Sequence, residues 1–348
     1  MSAVLVKKEG EMKKGTKYRK AVVCAIVSLL PSLAIGGAGT EIFDFLHLPN
    51  GARCAALSGS SMGITGDPFA LFSNPAALQI DTRTLAFYYT RYIADIQGGC
   101  GTYILPAAGG TFGVGISYLS YGNIPRMDVN GVELGNFAPQ SLVPMVGYSR
   151  KLNPSNVIGV SVKLISQSID EYMGVAVAGD IGYLFYPKSY DGLVIGGTIQ
   201  NLGTEIARFD STYEDLPIYG RLGGSYPLFK KIMQVSAEIE LPARELIVGI
   251  EWQISKILSA RGGYYSWGNE LETGSDFDIF AGKSFGIGIK TTKFNVDYAL
   301  TPMVDLGLVH RISITRSFYE TTKKAEAVVP EKIKEQEPQP EPQGSEQN

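Results

Sequence analysis

The chain is poor in the residues that build reactive centres. Its 348 residues include only two histidines, His47 and His310, and three cysteines. Two imidazoles so far apart exclude a His-rich metal site. Cys24 falls in an export signal, which leaves Cys54 and Cys100, two isolated thiols with apolar flanks that read more readily as packing residues than as a disulfide. Charged residues make up 19% and the formal charge is −3, so there is no basic field for nucleic acid. Past the N-terminus no apolar run reaches the roughly 18 residues of a transmembrane helix. If this chain crosses a membrane, it does so with strands. Ser58-Gly59-Ser60-Ser61 lacks the spacing of a nucleophile elbow, and the glycine-rich stretch 101–115 lacks the Lys-Ser/Thr pair of a phosphate loop. No enzyme activity, metal or cofactor is expected.

What the chain does have is glycine, tyrosine and alternation. There are 41 Gly and 19 Tyr. Residues 1–38 read as a secretory signal: Lys13, Lys14, Lys17, Arg19 and Lys20, then an apolar run over 21–35, then small residues at 36–39. Residues 39–82 are rich in alanine without period-two alternation and predict short helices and turns, with Asn74-Pro75-Ala76 capping and opening one of them. From residue 83 to 319 the pattern is strand after strand. Fourteen are expected, from 83–93 to 306–318, among them 191–201 and 276–290. Met233 to Leu241 places Met, Val, Ala, Ile and Leu on one side and Gln, Ser, Glu and Glu on the other. Leu246 to Ile254 repeats this, with Val248 and Ile250 opposite Glu251. A strand with one apolar side must show that side to something. Connectors after even-numbered strands are short and those after odd ones include the long 122–138 and 202–214, as in an outer-membrane barrel whose termini are periplasmic. Aromatic residues gather near strand ends, as in an interfacial girdle. Residues 320–348 are mostly Pro, Glu and Gln and predict a disordered periplasmic tail.

Residues 45–59, Phe-Leu-His-Leu-Pro-Asn-Gly-Ala-Arg-Cys-Ala-Ala-Leu-Ser-Gly, resemble the N-terminal signature of the PorV/PorQ family within the FadL-like barrels. Residues 67–78 resemble its Asn-Pro-Ala segment. Residues 199–203 resemble its mid-barrel Asn-Leu-Gly turn, and 297–311 its last hairpin. The resemblance implies an all-β, transmembrane antiparallel barrel of about 14 strands with a partly helical N-terminal plug. It implies two roles in the outer membrane of a diderm bacterium. One is a carrier or receptor of secreted cargo proteins in type IX-like export. The other is a channel for hydrophobic small molecules. A structural or adhesive surface barrel is a third reading.

Physically, Arg53 is the one charge of the 45–59 segment, and inside a lumen it needs a carboxylate. Glu238, Glu240, Glu251, Asp180 and Asp297 lie on strand faces opposite the apolar ones and are candidates. Arg53, Asn74, Pro75, Glu238, Glu240, Glu251 and Asp297 are therefore the expected plug and lumen residues. Substituting Glu251 is expected to cost far less than placing a charge at Val248.

Overall fold

A computed structural model of the chain describes residues 42–209 and 215–318. The expected export signal and the C-terminal tail lie outside these residues. The first strands are β1 (Arg83–Arg91), β2 (Gln97–Ala107) and β3 (Gly110–Ser120). A short hairpin follows, β4 (Ile124–Met127) and β5 (Glu133–Phe137). The longest strands come next: β6 (Gln140–Asn153), β7 (Asn156–Ile169), β8 (Tyr172–Phe185) and β9 (Val194–Ala207). The chain then runs through β10 (Tyr219–Leu228), β11 (Met233–Leu241), β12 (Glu245–Gln253), β13 (Leu258–Tyr265), β14 (Lys283–Lys290), β15 (Phe294–Pro302) and β16 (Leu308–Phe318). All but β4 and β5 join one closed antiparallel barrel of fourteen strands. The ring shuts where β1 pairs with β16, from Arg83 opposite Phe318 to Arg91 opposite His310.

Alternation sorts each strand into an outer and an inner row. On β12, Leu246, Ile250 and Trp252 are exposed while Ile247 and Gly249 are buried. On β7, Ile158, Val160, Val162 and Leu164 face out, and Ser161 and Lys163 face in. An unbroken outer band of Val, Ile, Leu, Phe and Tyr cannot be left to water, and a closed ring leaves no unpaired edge, so the band is a lipid surface. Arginine in place of Val248, in the middle of β12, is expected to cost about 2–4 kcal/mol. Arginine in place of Glu133, exposed in the β4–β5 hairpin, should cost nothing measurable. Unfolding midpoints in lipid check both.

Residues 42–80 are threaded down the lumen. Ile42 and Phe43 pack on Val143, Ile165, Ala176 and Leu216, at the long-connector end. The helix α1 (Ala52–Ala56) lies against the inner wall, where Ala52, Ala55 and Ala56 cluster with Ala299 of β15. Two 3-10 turns, Pro68–Phe72 and Pro75–Ala77, close the other end against Ile104, Met145, Val157 and Leu184. Each turn is capped from inside: the Phe69 amide donates to Asp67 at 2.9 Å, and the Ala76 amide to Asn74 at 3.1 Å.

Three expectations are corrected. The 191–201 strand continues to Ala207, and Asn201-Leu202-Gly203 is a bulge rather than a turn. Asn201 adopts a φ of 62°, and the β8–β9 register shifts between Gly179 and Ile181. Residues 276–280 form a 3-10 turn rather than the start of a strand, because Ser275 caps Phe277 and the Asp278 carboxylate accepts from the amides of Thr273 and Gly274. The 122–138 connector contains a hairpin of its own. Ile42 stands at the opposite end of the barrel from Arg83 and Phe318, because the segment runs the height of the lumen.

Candidate functional site

Three contact zones hold the threaded segment, and together they use every expected plug and lumen residue. In the middle zone Arg53, on α1, meets Glu251 of β12 at 2.9 Å. Glu251 also lies 3.5 Å from Arg261 of β13, which bonds Asp297 of β15 at 2.7 Å. Arg53, Glu251 and Asp297 thus belong to one chain of alternating charge, with Arg261 as the link. Burial works against the charge of Arg53, but Glu251, Asp67 and Asp297 together outweigh it and raise its pKa. Burial likewise pushes the carboxyl of Asp67 up. Asp180, another candidate partner, is engaged elsewhere: it lies 2.8 Å from Lys163 and accepts from Ser161 and the Asn201 amide.

The second zone is built on β10 and β11. Glu238 accepts from the backbone amides of Ser61 (3.3 Å) and Met62 (2.7 Å). Arg221 pairs with Glu240, lies 3.8 Å from Glu238, and donates to the Gly59 carbonyl at 3.2 Å. Ser60 and Ser236 share a hydrogen bond of 2.7 Å, and Ser225 donates to the Gly63 carbonyl at 2.8 Å. These wall side chains satisfy backbone groups of the segment that no secondary structure serves.

Asn74 and Pro75 stand apart, in the third zone near the short turns. They press into a hollow left by paired glycines of β7 and β8, Gly159 and Gly182. A Cβ on Gly159 would come within 2.2 Å of the Ala76 nitrogen, and one on Gly182 within 2.1 Å of the Asn74 Oδ1. Cys54 and Cys100 are both free thiols.

Above α1, at the long-connector end, the lumen opens into a cavity of about 440 Å³. Its floor includes Ala55, Ser58 and Gly59. Its walls carry the rings of His47, Tyr92, Tyr219, Tyr265 and Trp267 together with Arg221, Glu240 and Arg311. His47 stacks on Tyr219 with ring centroids 4.4 Å apart and lies 3.5 Å from Glu240. A concave, largely apolar chamber with a few convergent polar groups is the usual form of a small-molecule site. Arg221, Arg261 and Arg311 were not singled out from sequence. Their place on inward-facing strand positions was the available signal.

No family model matches the chain, and no curated protein sequence matches it. Solved structures do match. The toluene transporter TodX of Pseudomonas putida superposes with a TM-score of 0.56 at 14% identity, over 79% of this chain and 98% of that one. The toluene transporter TbuX of Ralstonia pickettii gives 0.55 at 14%, over 79% and 100%. A FadL homologue of Pseudomonas aeruginosa gives 0.51 at 13%, over 81% and 100%. The chain has a FadL-like outer-membrane barrel fold. At such identities the likeness concerns architecture: fourteen antiparallel strands closed around a lumen.

Proposed function

We propose that this FadL-like barrel passes small, largely apolar molecules across the outer membrane of a diderm bacterium, with residues 42–80 as the plug that governs passage. The observation that carries this reading is the lumen itself. A ligand-sized cavity sits over a segment that is held to the wall mainly by side-chain hydrogen bonds and ion pairs. The short-turn end, with Arg83 and Phe318, is assigned to the periplasm, and the cavity then faces outward. The two neighbours described as toluene transporters support a small-molecule role. The secretion-carrier reading rests on the resemblance at residues 45–59, 67–78, 199–203 and 297–311, and the structural neighbours add nothing to it.

The plug reading predicts a redox-controlled flux. Ser60 and Ser236 already touch, so cysteines placed at both positions are expected to form a disulfide between plug and wall. In proteoliposomes the oxidised double variant should pass a small arene at least tenfold more slowly than the reduced one. Deleting 42–80 should raise the flux above wild type. Equal flux in oxidised, reduced and deleted forms would remove the plug.

A further inference from the structure

Among the described residues four arginines lie in the lumen, and three have carboxylate partners: Arg53 with Glu251, Arg221 with Glu240, and Arg261 with Asp297. The fourth, Arg311 of β16, is 5% exposed. Its Nη1 donates to the Thr301 hydroxyl at 2.6 Å, and its guanidinium lies 5.7 Å from the centre of the Tyr92 ring. Among the described residues it makes no ion pair. The residues opposite it in register, Thr90 on β1 and Ala299 on β15, are uncharged. A cation buried without a counter-ion is costly unless something supplies the charge. Arg311 lines the 440 Å³ cavity.

We propose that Arg311 receives the carboxylate of a small aromatic acid, and that the cavity is the binding site for such acids. A planar guanidinium accepts a carboxylate through two parallel hydrogen bonds. The body of the ligand then lies among rings: Tyr92 beside Arg311, and His47, Tyr219, Tyr265 and Trp267 on the remaining wall. Aromatic pairs prefer offset or edge-on contact at the distances such a chamber provides. The other charges do not compete for the anion. Arg221 is taken by Glu240, and the other carboxylates of the lining, Asp44, Glu245 and Glu270, stand on the threaded segment, on β12 and in the β13–β14 connector, none of them on β16 or on the strands beside it. These carboxylates repel an anion, and Arg311 attracts it. The floor formed by α1 closes the chamber below, which suits a compact ring system better than a long chain.

The inference rests on the small-molecule reading but is tested by binding rather than flux. The full chain in detergent is titrated calorimetrically with 2-naphthoate, with 2-naphthamide, which has the same rings and no charge, and with undecanoate, an unbranched acid of equal carbon number. Naphthoate is expected to bind at least tenfold more tightly than either. Arg311→Met should erase the preference for acid over amide, and Arg311→Lys should keep part of it. Equal binding of acid and amide to the wild type overturns the proposal, as does a preference that survives Arg311→Met. Undecanoate binding as tightly as naphthoate overturns its aromatic half. Should the methionine variant fail to fold, the wild-type comparison alone decides. Selective binding without any flux in proteoliposomes would leave this site standing and remove the channel reading.

Discussion

Leucine in place of Glu251 should destabilise the protein by about 1–4 kcal/mol, between the cost of breaking an exposed ion pair and that of breaking a fully buried one from one side. Arg261 keeps Asp297, at 2.7 Å. Arg53 keeps no direct partner and stays enclosed between α1 and the wall. Removing both charges, with Arg53→Met added to Glu251→Leu, should recover most of the loss, because an apolar pair of similar volume is tolerated where a lone charge is not. Unfolding midpoints of the wild type, the two single variants and the double variant in one detergent give the coupling directly. Additive losses would mean that the 2.9 Å contact carries no energy of its own. The same prediction reverses an expectation drawn from sequence, that Glu251 is the tolerant neighbour of Val248. The face was assigned correctly, but the side chain is the joint between plug and barrel.

Valine in place of Gly159 should leave a folded barrel with its plug dislodged. A Cβ at this position would stand 2.2 Å from the Ala76 nitrogen and 2.3 Å from the Pro75 carbonyl carbon. These are backbone atoms, which cannot swing aside as a flexible side chain can. Valine suits a strand and the wall can accept it, so the turn at 74–76 has to move. Overpacking of this kind costs roughly 1–3 kcal/mol, drawn from the plug's attachment rather than from the barrel ladder. The expected result is normal heat-modifiable migration on gels, several-fold higher solute flux, and new protease sensitivity within residues 67–80. Alanine at Gly262, whose added Cβ meets nothing nearer than 3.9 Å, is the matched control and should change none of these. Wild-type flux and protection in the Gly159 variant would show that the hollow is only a packing detail.

How much of this was legible follows from what repeats. The barrel was readable because period two recurs strand after strand, and each inward or outward assignment is checked by its neighbours. Val248 and Glu251 fell on the expected faces for that reason. Local exceptions were not readable. The bulge at Asn201 depends on one residue with positive φ held by the Asp180 carboxylate and the Pro217 carbonyl, both distant along the chain or across the sheet. The 276–280 turn depends on Asp278 bonding back to 273 and 274. In the lumen, residue types were visible but partners were not. Five acids qualified for Arg53, and which one meets it is set by the height and rotation of α1. Arg311 stood in view within a recognisable last hairpin. Its meaning appears only when the register shows Thr90 and Ala299, rather than an acid, beside it.

Threading also bears on how the molecule is made. The plug precedes β1 in the chain, and β1 closes on β16, the last strand of the ring. The seam that shuts the ring therefore joins the residues just after the plug to the last strand in the sequence. A segment that crosses the whole lumen and fits glycine hollows in the wall is most easily laid down while the sheet is still open, as the surface around which it curls. Inserting it afterwards would require a free end to pass through a finished ring past Arg221, Glu238 and Glu251. The position of one seam thus favours an assembly in which residues 42–80 are in place before the ring closes.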